Sequence, residues 1–495
     1  MQDIEDKNLL AYRLREKVRY SETEGSLYLT LDYPLKVLVI HPVWSPVIRL
    51  LHGRRFVPFH QMIPLIESAD PRKIESFLNG LVRKGLLETR GYLELGEYPV
   101  VSIIIPVRNR PEDLETCLQS LARLDYPSDR IETIVVDDAS DDDTPGVAAR
   151  HHVRLIPLKE HGQASFCRNL AARQARGEIL AFLDSDCTAD SLWLRELVPA
   201  FRDPSTGAVG GMVDSSFDEK GLDRYEKVRS SLNMGFWPRS SREGDLFFYI
   251  PSCNLLTKRE IFRQVGGFNE DMFVGEDVDF CWRVQDLGFH IEYMPIGRVY
   301  HKHRNEIEHF CIRRFDYGTS EPFLQKTHPK RVKKFVFTLP DIFFWGSALL
   351  SIVSGKAIWL GLCVLILLTD SILRYSRLFR MKIPVRYPRL LLAICRSYIA
   401  FIYHACSFIS RYYLVFIIPG FFFSPLFSAI LFGAHVITTS VEYTIKKPKL
   451  NVFSFFCYFS LDQISYQAGV WWGCIRRLFF GPVNPRLVRK RVQGS

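Results

Sequence analysis

Two aspartates at a spacing of two, Asp184 and Asp186, close the apolar run EILAFLDSD. At that spacing both carboxylates can reach one hard cation. Mg2+ or Mn2+ held by one or two carboxylates together with diphosphate oxygens is the chemistry such a pair serves. A lone Asp-x-Asp is common on solvated loops, but a second acidic run end, IETIVVDDAS with Asp137 and Asp138, strengthens it. A third apolar run, VVSIIIPVRNR, ends in a polar turn that holds Asn109. Farther along, Glu276 and Asp277 open the helical run GEDVDFCWRVQDLG. Acids there either act chemically or simply favour a helix N-terminus through the macrodipole. RVYHKHR offers His301 and His303. A single imidazole is more often structural than a ligand, but an imidazole from this run could complete a metal shell that includes Asp186.

The elements that must position these groups follow from hydrophobic periodicity. VVSIIIPV (100–107), IETIVVDDAS (131–140), VRLIPL (153–158) and EILAFLDSD (178–186) read as short β-branched strands. Helical stretches such as PEDLETCLQSLARL and SFCRNLAARQA alternate with them. The pattern predicts an α/β domain over residues 98–329, a parallel sheet covered by helices on both faces. Ligands then bind beyond the carboxyl ends of the strands, where the acids fall. Before it, residues 1–97 read as a small winged-helix-like α+β domain. Its strands are SLYLTLDY and LKVLVI, its helix carries Ile74, Phe77, Leu78 and Leu81 on one face, and GLLETRGYLEL forms a short hairpin.

Composition separates the remainder. The chain has 495 residues, 47% hydrophobic and 24% charged, which excludes disordered and fibrous classes. The formal charge of +10 is unevenly spread: from Lys330 onward 22 Lys/Arg face 4 Asp/Glu. That basic third, 330–495, is also the apolar one, so an anionic membrane is its expected partner and nucleic acid is not. The 1–97 region, with 14 basic and 13 acidic residues, lacks the basic stripe of a DNA-binding module and reads as a peptide-docking or packing unit. Runs at 335–355, 357–373 and 412–438 have the length and apolarity of membrane-spanning helices, while 390–410 and 451–475 read as spanning or interfacial. The basic stretch RYSRLFRMKIPVRYPR, with KKPK and RLVRKRV (486–492), is expected on the cytoplasmic side. Eleven cysteines without regular pairing, and an acidic, polar MQDIEDKNLL in place of a signal-peptide pattern, point to reduced thiols and a cytoplasmic catalytic domain.

Taken together, VSIIIPVRNRPEDLETCLQSL, ETIVVDDASDDDT, GQASFCRNLAARQARGEILAFLDSD, PSCNLLTKREIFRQVGGFNE and GEDVDFCWR resemble the successive motifs of family 2 glycosyltransferases with the GT-A fold. CIRRFDYGTSEPFLQKTHP (311–329) and LDQISYQAGVWWGCIRR (461–477) are similar to segments of the mycofactocin-biosynthesis branch, whose N-terminal region resembles PQQ synthesis protein D. The resemblance implies a metal-dependent inverting hexosyltransferase at a bacterial cell membrane. Its donor would be a UDP-sugar, UDP-glucose on that branch. Its acceptor would be a peptide-derived small molecule, extended by serial β-1,4 additions. By the same resemblance Pro106, Val107 and Asn109 line the nucleoside pocket and Asp138 contacts the base. Arg168 approaches the diphosphate, Asp184 contacts ribose, and Asp186 with His301 holds Mg2+ or Mn2+. Asp277 is the general base with Glu276 beside it. The first loop reads Arg108-Asn109-Arg110 where an acid is common elsewhere in the superfamily. A lipid or cell-surface polysaccharide acceptor is the alternative reading; no QxxRW motif of processive synthases occurs in the sequence.

Overall fold

The computed structural model describes residues 9–23, 26–53, 55–66, 70–303 and 305–489. The start of MQDIEDKNLL, Arg304 of RVYHKHR and the last three residues of RLVRKRV lie outside the described residues.

Eight strands form the main sheet. They are β1 (Val101–Val107), β2 (Ile131–Asp137), β3 (Arg154–Pro157), β4 (Ile179–Phe182), β5 (Thr206–Gly210), β6 (Arg239–Ser240), β7 (Leu255–Lys258) and β8 (His290–Tyr293), in spatial order 6-8-5-7-4-1-2-3. The β4-β1-β2-β3 half is parallel, as the strand–helix alternation predicts. The other half corrects that prediction: β7 runs antiparallel to both β4 and β5, and β6 antiparallel to β8, so the sheet is mixed. Between β4 and β7 the chain passes through several short strands and helices, among them Cys187–Ala189, Trp193–Leu197, β5, Gly221–Arg229 and β6, and not through the single helical crossover that returns a strand parallel.

Apolar side chains from both sheet faces make two cores. One packs Val101, Ile103 and Ile105 against Leu114, Leu118 and Trp193. The other packs Ile104, Ile134 and Phe182 against Phe262, Phe268 and Phe280. Three helices bear on the site: α1 (Pro111–Leu121), α2 (Gln163–Gln174) and α3 (Glu276–Asp286). A second small sheet joins strand Cys187–Ala189 to Val299–His301 and Val213–Ser215.

Residue packing groups the chain into two units. The first holds residues 1–15, 46–320 and 448–458. In it, strand Leu87–Arg90 pairs with Ala11–Leu14 rather than folding back on residues 91–95 as the expected hairpin, because Ala11–Leu14 supplies a partner with Ala11, Tyr12 and Leu14 buried. Helix Pro71–Arg83 starts at Asp70, whose carboxylate accepts from Arg72 N, and buries Ile74, Leu78 and Leu81.

The second unit holds residues 16–45, 321–447 and 459–495. Its three-stranded meander (18–23, 26–32, 35–40) includes both strands expected near the N-terminus. Three of its helices are long and apolar enough to cross a membrane: Ile358–Arg380, Tyr387–Tyr412 and Pro425–Lys446. The expected span at 335–355 is instead a strand, Lys334–Phe337, and a helix of 16 residues, Leu339–Ser354. Thr338 and Asp341 form a capping box there and Pro340 fits the first turn, so the helix starts late. The expected span at 412–438 breaks at Ser424, whose hydroxyl accepts from Phe427 N while Pro425 opens a new helix.

Candidate active site

At the carboxyl ends of β1 and β2 the backbone leaves the sheet through left-handed residues. Asn109 has φ 51° and Ala139 φ 56°, and Gln163 at the start of α2 has φ 70°. Non-glycine residues there cost of order 1 kcal/mol each, and such strain gathers at functional sites. Asn109 stitches two of these turns together: its N–H donates to Ser140 Oγ (2.9 Å) and its Oδ1 accepts from Asp141 N (3.0 Å). Asp138 is buried, and its carboxylate accepts from Gly162 N (2.6 Å) and Gln163 N (3.1 Å) with His161 Nδ1 at 2.7 Å. It therefore fixes the 161–163 loop at the entry to α2. Pro106 is half-buried at the end of β1. Val107, expected to line a pocket, turns its side chain into the core at 3% exposure, because strand alternation assigns it the face that packs on α1; it offers a ligand no side-chain surface.

The acidic motifs meet through Arg168 of α2. Its Nη2 donates to Asp184 Oδ1 (2.6 Å) and its Nη1 to Glu276 Oε1 (2.9 Å). The guanidinium is buried and stands over the Phe268 ring at 5.6 Å. Burial opposes its charge, but Asp184 and Glu276 outweigh that and hold it firmly protonated. Asn169, one residue on, grips the loop before α3. Its Nδ2 donates to Phe268 O (2.9 Å) and Glu270 Oε1 (2.8 Å), and its Oδ1 accepts from Phe268 N (2.9 Å).

Glu276 and Asp277 open α3 after left-handed Gly275, so the helix N-terminus does favour them, as expected from the macrodipole. They also serve the site. Asp277 Oδ2 accepts from Ser252 N (3.2 Å), and Ser252 Oγ lies 3.3 Å from Glu276 Oε1. Burial, then the neighbouring Glu276 charge, push the Asp277 carboxyl up to about 7. A carboxylate that takes up a proton near neutral pH is poised for general-base work.

Asp186 sits on the other side of the Asp-x-Asp turn. Antiparallel pairing of Cys187 with His301 brings His301 Nε2 to 3.5 Å from Asp186 Oδ1. Two ligands at about 2.1 Å from one divalent ion stand roughly 3–4 Å apart, so this donor pair fits Mg2+ or Mn2+. Asp186, Cys187 and His301 offer ligand atoms within 4.8 Å of one another, and the buried His301 Nδ1 has no hydrogen-bond partner. Burial works against the Asp186 charge, yet facing His301 and Arg110 overcome it and lower the carboxyl pKa.

Arg110 is the residue that sequence reasoning missed. Its Nη1 pairs with Asp186 Oδ2 and lies 3.7 Å from Asp113. Its place directly after Asn109 was the available signal. Arg313, in the CIRRFDYG segment, is a second: its guanidinium stacks on Tyr317 at 4.9 Å and feels the charges of Glu276 and Asp184. His303 is buried, its ring 4.9 Å from that of His301 and its Nδ1 3.8 Å from Glu226.

The family model described as glycosyl transferase family 2 matches residues 102–266. The pre-mycofactocin glycosyltransferase of Mycobacterium tuberculosis is 28% identical over 400 residues, 78% of this chain and 82% of that protein. Glycosyltransferase AglE of Haloferax volcanii is 30% identical over 200 residues, 39% of this chain and 64% of that protein. Among solved structures, the mannosyltransferase PcManGT of Pyrobaculum calidifontis, in complex with GDP-Man and Mn2+, overlaps with a TM-score of 0.39 at 19% identity, covering 61% of this chain and 88% of that one. The motifs that converge on the crevice lie within or just beyond the segment that matches the glycosyl transferase family 2 model, and over 78% of its length the chain is similar to the pre-mycofactocin glycosyltransferase.

Proposed function

We propose that this protein transfers a hexose, glucose from UDP-glucose, with inversion onto a peptide-derived small-molecule acceptor in serial β-1,4 additions. Similarity to the pre-mycofactocin enzyme supports the acceptor class. The observation that carries the chemistry is the Arg168 bridge between Asp184 and Glu276, which makes the two acidic motifs one site. Asn109, Pro106 and the loop held by Asp138 receive the nucleoside, and Asp184 the ribose. Arg168 keeps positive charge beside the diphosphate.

Asp186 and His301 would hold the divalent cation, which supplies charge to stabilise the departing diphosphate. Asp277 accepts the acceptor hydroxyl proton as that oxygen bonds to C1 and the C1–phosphate bond breaks. One displacement from an α-linked donor gives a β product. The apolar helices of the second unit anchor the protein at the membrane, with the catalytic domain on the cytoplasmic face.

The test is mass spectrometry after incubating the full chain with UDP-glucose, Mn2+ and either a soluble acceptor extract or a lipid extract. Successive hexose additions to a soluble acceptor are expected. Hexose appearing only in the lipid fraction would replace this acceptor with a lipid one.

A further inference from the structure

Cys187 stands beside the groups assigned to the cation, and the reaction described above does not use it. Asp186 lies in a turn that Cys187 N closes by donating to Asp184 O (3.1 Å), and its own carbonyl accepts from Lys302 N (2.9 Å). The turn frees Asp186 from strand alternation, which would otherwise send adjacent side chains to opposite faces. Cys187 opens strand Cys187–Ala189 directly opposite His301, and antiparallel partners share a face. One oxygen of Asp186 therefore meets both residues: Oδ1 lies 3.5 Å from His301 Nε2 and 4.0 Å from Cys187 Sγ. The other oxygen, Oδ2, is taken by Arg110.

A carboxylate oxygen, an imidazole nitrogen and a sulfur thus converge, all within 4.8 Å of one another. Ligands at ~2.0–2.3 Å from one ion stand about 3–4 Å apart, so the sulfur needs only a small shift to join the other two donors. Three protein ligands with a further position for water or substrate make up catalytic, as opposed to structural, zinc-type sites. The imidazole is not committed elsewhere, since its buried Nδ1 has no hydrogen-bond partner among the described residues. Packing alone is the competing role for Cys187, which is 1% exposed with its thiol against that of Cys253. The two roles differ in what they ask of the metal. Mg2+ takes oxygen ligands and keeps several waters, whereas a thiolate selects softer ions.

We propose that Cys187 is a third ligand of the cation, and that the site selects an ion of the Mn2+–Co2+–Zn2+ series over Mg2+, with Zn2+ held most tightly. The thiol proton passes to solvent as the sulfur–metal bond forms. The inference rests on the transferase reading above and names the class of metal which that reading leaves broad.

The experiment titrates the full chain with Co2+ alone, no nucleotide being present, and reads the near-ultraviolet spectrum. The wild type is expected to bind Co2+ with a sulfur-to-cobalt charge-transfer band. Cys187→Ser and Asp186→Ala should both lose that band, while Cys253→Ala keeps it. In calorimetry Cys187→Ser should bind Zn2+ at least about tenfold more weakly, the loss that even an outer-shell partner causes, with Mg2+ affinity unchanged. A band that survives Cys187→Ser, or one lost only in Cys253→Ala, overturns the proposal and leaves Cys187 to packing. A wild type that binds no Co2+, or binds it without the sulfur band, overturns it whether or not the variants fold. A wild type that shows the band yet fails to bind UDP keeps Cys187 as a ligand and strikes the transferase reading instead.

Discussion

Asp277 and Asp186 separate the two roles of the carboxylates by environment. Asp277, buried beside Glu276, takes up its proton near pH 7, while Asp186, facing Arg110 and His301, stays ionised far below that. A base works only when deprotonated, so kcat/KM should rise with pH through an apparent pKa near 7 and level off above it. A profile already flat from pH 5 to 8 would show that another group limits the reaction. On the proposed mechanism, Asp277→Asn should keep UDP-sugar binding and cost about 10²–10⁴-fold in kcat. Turnover near wild type would remove it from the mechanism. Asp186→Ala should abolish the Mn2+ dependence of UDP binding in calorimetry, and unchanged binding with and without Mn2+ would refute its ligand role.

At the level of elements, the small sheet that carries His301 depends on close backbone approach. Gly211, where β5 passes to strand Val213–Ser215, leaves no room for a Cβ, which would stand 2.1 Å from Gly297 O and 2.7 Å from Asn254 Nδ2. Asn254 in turn donates to Met212 O and Gly297 O and accepts from Trp193 Nε1. Gly211→Ala should destabilise the protein by roughly 1–3 kcal/mol, seen as a lowered Tm and weaker Mn2+ binding. An unchanged Tm would mean that this junction tolerates displacement. The parallel half of the sheet and the strand-end acids were legible because β-branched runs alternate with helical ones and the acids fall at run ends. The antiparallel strands were not, since β6, β7 and β8 are two to four residues long and their partners are fixed by tertiary packing. On α3, Asp279 is buried and pairs with Arg283 at 2.6 Å, a polar contact that hydrophobic period does not reveal. Arg110 stood out only as a departure in the first loop, and its pairing with Asp186 was not legible because an ion pair across a crevice leaves no periodic trace.

On the scale of the whole chain, basic and apolar character coincide from Lys330 onward, and three helices there have spanning length. Full-length protein should therefore remain with the membrane pellet after an alkaline carbonate wash, and release into the supernatant would limit the association to the surface. The account as a whole stands on one claim, that the acids gathered around Arg168 transfer a sugar with Asp277 as the base. The most direct test is NMR of the anomeric centre in the product formed from UDP-α-[13C]glucose by wild type and by Asp277→Asn at matched UDP-sugar occupancy. The account predicts a β-linked product from the wild type and almost none from the variant. An α-linked product, or a β-linked product formed at the wild-type rate by the variant, would contradict it.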